Sequence, residues 1–263
     1  MTIDFKGERI NPVSTDDRTF ANHLARYEFA ASVILSSSSI RNVLDCACGA
    51  GYGTAYLSQR LTNISVTGSD ISGDSIRTAS ELYDSYKCRF MIEDLRAPND
   101  NTKYDCIVSF ETLEHIDFPV TYFQKMRERL SDKGCLILSV PDKRSNIDSG
   151  YKNEFHLNEM YLEVLIHHLS NNFKSFSIKV QKQRKISKAR RVVGKALSWI
   201  APIYKSKLLK FTRKVRKTQN FTGKNFHEFI EKKADLLNSF SINELNSVNY
   251  DSDRICYVVV AYV

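Results

Sequence analysis

The chain has 263 residues, 42% hydrophobic and 26% charged, a composition that can bury one large α/β core and that excludes a wholly disordered chain. Its first residues, MTIDFKGERI, mix charges into the start, and no uninterrupted apolar run approaches the ~18 residues of a membrane span, so a cytoplasmic protein is expected. The formal net charge of +8 is unevenly placed: residues 181–217 hold fourteen Lys and Arg with no Asp or Glu, which leaves −6 on the remainder.

In chain order, residues 1–39 read as a helical cap segment. From 40 to 180, short β-branched or apolar runs alternate with helical patterns, the signature of βαβ units and a parallel sheet. The strands expected are 41–46 (RNVLDC), 64–70 (ISVTGSD), 88–92 (CRFMI), 104–110 (YDCIVSF) and 134–140 (GCLILSV). Helices are expected at 52–62, at 73–85 with Ser72 as N-cap, and at 119–131 with Pro119 in the first turn. After Pro141 a polar loop leads to a helix near 157–170, then a strand at 173–180. The last strand is RICYVVVAYV, 254–263. Between these two strands, 181–253 reads as a basic helical insertion whose apolar positions recur at steps of three or four, interrupted at Pro202. The expectation is an α/β fold: a doubly wound, seven-stranded, mostly parallel sheet with helices on both faces and an antiparallel last strand.

The six cysteines lie in apolar segments with no CxxC pair and no His at metal-ligand spacing. They read as small buried hydrophobes in a reducing compartment, which argues against a disulfide framework or a zinc site.

The chemistry concentrates at strand ends. VLDCACGAGYGTA, 43–55, follows a strand and precedes a helix, and Gly49, Gly51 and Gly53 allow a sharp turn and close approach of a ligand to the main chain. Asp45 ends the strand just before this turn. A carboxylate there repels a pyrophosphate, so the loop suits a ligand bearing an ammonium and a sulfonium rather than a dinucleotide. Asp70 closes the second strand nineteen residues after Gly51, where a carboxylate can accept both hydroxyls of a ribose. Asp94 follows the third strand, and Glu111, Glu114 and His115 follow the fourth. All lie at carboxyl ends of parallel strands, where open sheets bind ligands.

These motifs, in this order over about 100 residues, resemble the class I S-adenosylmethionine (SAM)-dependent methyltransferases, in particular the type 11 group. DCACGAGYG resembles the group's glycine motif, GSDIS its ribose-binding acid, EDL its adenine-side acid and FETLEHI its fourth-strand segment. The resemblance implies a Rossmann-like fold, SAM as cofactor, and cofactor contacts from Asp45, Cys46, Gly49, Gly51, Asp70, Ile71, Asp94, Leu95 and Glu111.

A second resemblance joins GERINP, 7–12, and HLARYEFAA, 23–31, to the amino-terminal segment of methyltransferases of bacterial surface-polysaccharide biosynthesis. That segment reads GERF-P and then EHLHRYAFA, so Asn22 stands for a Glu and Ala25 for a His. It implies Arg26 and Tyr27 over the cofactor; a helix docked on the sheet is the alternative. It also implies a glycan or lipid-linked saccharide as acceptor.

For a hydroxyl acceptor a general base helps, with His115 the first candidate, His156 the second, and Glu114 beside them. Either histidine can instead be a structural residue bonded to backbone. Glu111, Glu114 and His115 can also approach Mg²⁺, but three ligands on one short loop do not complete an octahedron, so no metal is expected. His23, His167, His168 and His227 belong to no constellation.

The basic segment admits three readings: an anionic membrane surface, which makes the protein peripheral at the inner face; nucleic acid, with Tyr204, Phe211 and Phe221 stacking on bases; or a solvated lid or dimer arm. FETLEH is not the Asn/Asp-Pro-Pro-aromatic segment of amino-group base methyltransferases, which disfavours nucleic acid. The expected function is O-methylation of a glycan or lipid-linked saccharide, with RNA or small-molecule methylation, or a non-catalytic SAM-binding subunit, as alternatives.

Overall fold

A computed structural model describes residues 17–99, 101–149, 155–184, 226–231, 240, 242–245 and 253–263. Helix α1 (Asp17–Leu35) precedes β1 (Asn42–Cys46), α2 (Tyr52–Arg60), β2 (Ser65–Asp70), α3 (Gly73–Tyr83), β3 (Cys88–Ile92) and β4 (Tyr104–Phe110). A 3₁₀ turn (Leu113–His115) leads to α4 (Pro119–Arg129), β5 (Leu130–Pro141), α5 (Lys143–Ser149), α6 (Leu162–Asn172) and β6 (Ser175–Arg184). Then follow α7 (Phe226–Glu231), β7 (Ile242–Glu244) and β8 (Asp253–Tyr262).

One sheet runs in the order β3-β2-β1-β4-β5-β8-β6-β7. The pairs among β1 to β5 are parallel, while β8 is antiparallel to both β5 and β6. Chain order reverses between β1 and β4, which leaves a crevice at their carboxyl ends.

The strands are apolar on both faces because both faces are covered. Val43, Cys106, Val108, Cys135 and Ile137 pack with α1, α2 and Tyr83 of α3. Their neighbours Leu44, Ile107, Leu136 and Leu138 face Tyr122, Phe123 and Met126 of α4 and Leu165 and Leu169 of α6. Alternate residues feeding two cores produce near-continuous hydrophobic runs.

The sheet has eight strands where seven were expected. The eighth, β7, pairs antiparallel with β6 through Val180 and Asn243, so that β6 is not the sheet edge. It lies within the stretch read as helical insertion, and three residues are too few to show a period of two. In the same stretch Phe226 of α7 is buried, with its ring centroid 5.3 Å from that of Tyr83. The expected amphipathic helices between 185 and 225 lie outside the described residues, as does the GERINP segment.

Boundaries shift where tertiary contacts outrank local pattern. Strand β5 starts at Leu130, buried at 2% exposure, and not at Gly134. The helix expected from 157 begins at Leu162. Helix α5 was read as a polar loop, yet the N–H of Ser145 donates to Asp142 Oδ2 at 2.7 Å, a cap that starts it. The Ser72 cap of α3 is present, accepting from Ser75 N–H at 3.3 Å. All six cysteines are free and five are buried. Among the described residues no helix is long and apolar enough to cross a membrane.

Gly53 lets α1 dock. A Cβ there would stand 2.0 Å from the ring of Tyr27, itself packed against Tyr52 and Phe110. Gly53→Ala is therefore expected to destabilise the fold by about 2 kcal/mol, read as a lower urea midpoint at constant slope; an unchanged midpoint would mean that α1 is not seated on α2.

Candidate active site

The turn after β1 is built from left-handed backbone: φ is 59° at Ala47, 55° at Gly49 and 81° at Gly51. For Ala47 this conformation costs on the order of 1 kcal/mol, whereas glycine adopts it freely. Gly51 also has no room for a side chain, since a Cβ would meet Ala79 Cβ at 2.6 Å and the Phe90 ring at 2.8 Å. Gly49 is the opposite case. No atom lies within 4 Å of its would-be Cβ, so here the main chain is open to a ligand.

Asp70 locks this turn. Its Oδ2 accepts the Gly49 N–H at 2.9 Å and its Oδ1 accepts the Ser72 N–H at 2.8 Å. Each carboxylate oxygen retains a lone-pair direction for a further donor, which is what two adjacent hydroxyls require. Ile71 beside it is exposed, an apolar platform next to a polar anchor. Asp94, by contrast, is held bidentately by the Arg96 guanidinium, with contacts of 2.9 to 3.1 Å. Those hydrogen bonds keep its carboxyl below the usual range. Leu95 packs against the α4-side core.

Asp45 is fully buried, accepting from Thr54 Oγ1 at 2.6 Å and from the Tyr27 hydroxyl at 3.2 Å. Burial pushes its carboxyl up to about 7, the two hydrogen bonds opposing that rise. The Cys46 side chain points into the α4-side core, so a ligand can meet this residue only through its backbone.

Arg26 and Tyr27 are both buried in the body, as the docked-helix alternative has it, although Tyr27 does reach the β1 acid. Arg26 Nη1 pairs with Glu111 Oε1 at 3.0 Å and Arg26 Nε donates to Gln181 Oε1 at 2.8 Å. Burial alone would raise the Glu111 carboxyl, yet Arg26 brings it below its ordinary value. Glu111 also accepts from Ser139 Oγ and Cys256 Sγ, and its φ is 49°. The bonding of Thr54, Ser139 and Gln181 to these charged groups was not read from the sequence, because nothing in their local pattern sets them apart from other polar residues of a helix or strand.

The acceptor-side candidates meet. Glu114, buried, lies on the 3₁₀ turn with His115, and its carbonyl accepts the N–H groups of Leu157 and Asn158 at 2.7 and 3.0 Å. Those bonds fold the later loop back over the turn. His115 Nδ1 faces the Phe155 carbonyl at 2.9 Å, His156 Nδ1 faces Glu159 Oε1 at 2.8 Å, and the two rings are 5.1 Å apart, edge to face. Phe155 and Leu157, on either side of His156, are exposed. Asp45 pairs with Val108 across β1 and β4, so the acid of β1 and this cluster belong to neighbouring strands at the crevice.

The chain matches the methyltransferase-domain family over residues 16–184. It is 32% identical over 100 residues to malonyl-[acyl-carrier protein] O-methyltransferase 1 of Ilyobacter polytropus, covering 38% of this chain and 37% of that one. It is 29% identical over 119 residues to the mitochondrial ubiquinone biosynthesis O-methyltransferase of Candida albicans, covering 43% and 36%. The matches thus span little more than a third of these relatives. Among solved structures, YcgJ of Bacillus subtilis superposes with a TM-score of 0.57 at 15% identity, covering 91% of this chain and 98% of that one. The plantazolicin methyltransferase BpumL in complex with SAH superposes at 0.54 and 15%, covering 94% and 84%. Likeness at this identity shows the fold.

Asp45 generates a prediction of definite sign. Its folded value of about 7 exceeds the ordinary 3.8, so the folded state binds the extra proton and stability falls as pH rises across that window, by about 4 kcal/mol in full. Asp45→Asn keeps one acceptor oxygen facing the Thr54 and Tyr27 hydroxyls and removes the charge. It is expected to melt higher than the parent at pH 8, with the difference shrinking below pH 7 and gone near pH 4; equal melting at pH 8 would refute the assignment.

Proposed function

The chain belongs to the methyltransferase-domain family, and on that premise we propose that it transfers the methyl group of SAM to an oxygen acceptor, the hydroxyl of a glycan or lipid-linked saccharide. The observation that carries the cofactor reading is the open Gly49 backbone held by the Asp70 carboxylate, with a buried acid, Asp45, in the strand that leads into the turn. Asp70 has the lone pairs for a ribose diol, Ile71 offers an apolar face to a purine, and Asp45, buried at the end of β1, acts on an ammonium and a sulfonium through its charge rather than by contact. A cation near Asp45 favours its ionised form, offsetting the burial that holds it near 7. SAM supplies an electrophilic methyl carbon, and the protein need supply no nucleophile of its own. Holding the acceptor oxygen in line accounts for most of the acceleration, since oriented reactants reach effective molarities on the order of 10⁵ to 10⁸ M.

The Glu114, His115 and His156 cluster receives the acceptor hydroxyl and promotes loss of its proton. Phe155 and Leu157 give the apolar part of a carried acceptor a surface to lie on. The basic sequence of 181–217 suits an anionic membrane surface, where lipid-linked saccharides reside; this favours attachment at the inner face over nucleic-acid binding. The same exposed Phe155 and Leu157 support a second reading, O-methylation of an apolar small molecule, which accords with the ubiquinone biosynthesis named for one of the relatives.

Labelled SAM incubated with lipid-linked oligosaccharides, the same saccharides without lipid, and simple phenols separates these readings. Transfer to the lipid-linked saccharide is expected; label on phenols alone selects the second reading, and no transfer to any acceptor leaves a SAM-binding subunit. His115→Ala is expected to lower turnover about 100-fold with SAM affinity unchanged, and unaltered turnover would remove His115 from the chemistry.

A further inference from the structure

We propose that the cavity between the end of α4 and the residues leading into β4 binds a phosphomonoester, gripped by Arg129, Lys103 and Lys125. The proposal does not rest on the methyltransferase reading.

The cavity measures about 330 Å³, and Pro98, Lys103, Lys125, Glu128 and Arg129 are among the residues that line it. It is not the cofactor crevice. Leu130 pairs with Tyr104, so Arg129 and Lys103, one residue before each, stand at the starting ends of β5 and β4, whereas the crevice opens at the carboxyl ends.

Arg129 carries the argument. It is 6% exposed, its Nη1 meets Glu93 Oε1 at 2.9 Å, and its Cζ stands 5.2 Å from the centroid of the Tyr104 ring. Nε and Nη2 have no hydrogen-bond acceptor among the described residues. These two nitrogens form the edge by which a guanidinium holds an oxyanion with two parallel bonds. Buried donors without acceptors are costly, and two oxygens of one phosphate group satisfy both.

The charge at the cavity has the sign a phosphate needs. Lys103 and Lys125 bring two ammonium groups to its wall. The Lys103 ammonium donates to the Glu128 carbonyl and keeps two further N–H groups for a ligand. With Arg129 they outnumber the two acids nearby, Glu93 and Glu128, and Glu128 is exposed to water. The volume adds the ligand class. Small-molecule cavities run from about 300 to 1,000 Å³, so this one has room for an organic group beside the phosphate, with Pro98 as an apolar wall.

The test titrates the full chain calorimetrically, in buffer free of phosphate and sulfate, with phenyl phosphate and with inorganic phosphate. One phenyl phosphate per chain is expected, with inorganic phosphate binding more weakly. Lys103→Ala and Lys125→Ala are each expected to weaken it about fivefold, the worth of one charge at about 4 Å in water. Arg129→Gln combined with Glu93→Gln, which leaves no lone buried charge, is expected to abolish it. Circular dichroism and the urea midpoint report folding; if the paired variant does not fold, the two lysine substitutions decide the question. Phenyl phosphate binding that these substitutions leave unchanged belongs to the basic residues of 181–217 and overturns the site, as does the absence of saturable binding. Binding of inorganic phosphate alone overturns the assignment to an ester.

Discussion

The Asp70 carboxylate, bridging the N–H groups of Gly49 and Ser72, is the contact on which the crevice depends. It ties the end of β2 to the turn after β1 and holds that turn in a left-handed course that opens Gly49 outward. Gly51, closed against Ala79 and Phe90, sets the depth of the turn. With β1 and β4 adjacent and parallel, the chain-order reversal places Asp45, Asp70 and the 3₁₀ turn around one opening.

The site is bought with buried charge. Asp45 sits with no exposure on two hydroxyl donors, and Arg26 and Glu111 form an ion pair in which Arg26 is buried. A further buried pair, Arg129 with Glu93 at 2.9 Å, anchors the segment just past β3. Such pairs add little net stability against apolar replacements, while losing one partner leaves a costly charge. They do keep α1, β6 and β8 in fixed relation to the crevice, since Arg26, Gln181 and Cys256 converge on Glu111 or its partners. This is the usual trade of stability for a preorganised site.

Much of this was legible in the sequence. Alternating apolar runs and helical periods place β1 to β5 with small end errors, because those strands are buried on both faces and their helices are capped or started by Ser72 and Pro119. Gly49, Gly51, Asp45 and Asp70 were legible because a left-handed turn and a strand-end acid leave local marks. What was not legible is tertiary. Strand β7 exists only because β6 has an edge to cover. The partners of Arg26, Glu111 and Gln181, and the clasp of Arg96 on Asp94 are likewise invisible to local pattern. His156 comes beside Glu114 and His115 through long-range contacts, Leu157 and Asn158 on the Glu114 carbonyl and the Phe155 carbonyl on His115, which no periodicity announces.

Calorimetric titration of the purified chain with SAM and with S-adenosylhomocysteine, NAD serving as the control, bears on all of this at once. Saturable binding of the first two, abolished in Asp70→Ala, and no binding of NAD is the predicted result. Binding of NAD alone, or SAM affinity indifferent to Asp70, would contradict the assignment of the glycine turn and of the chemistry built on it.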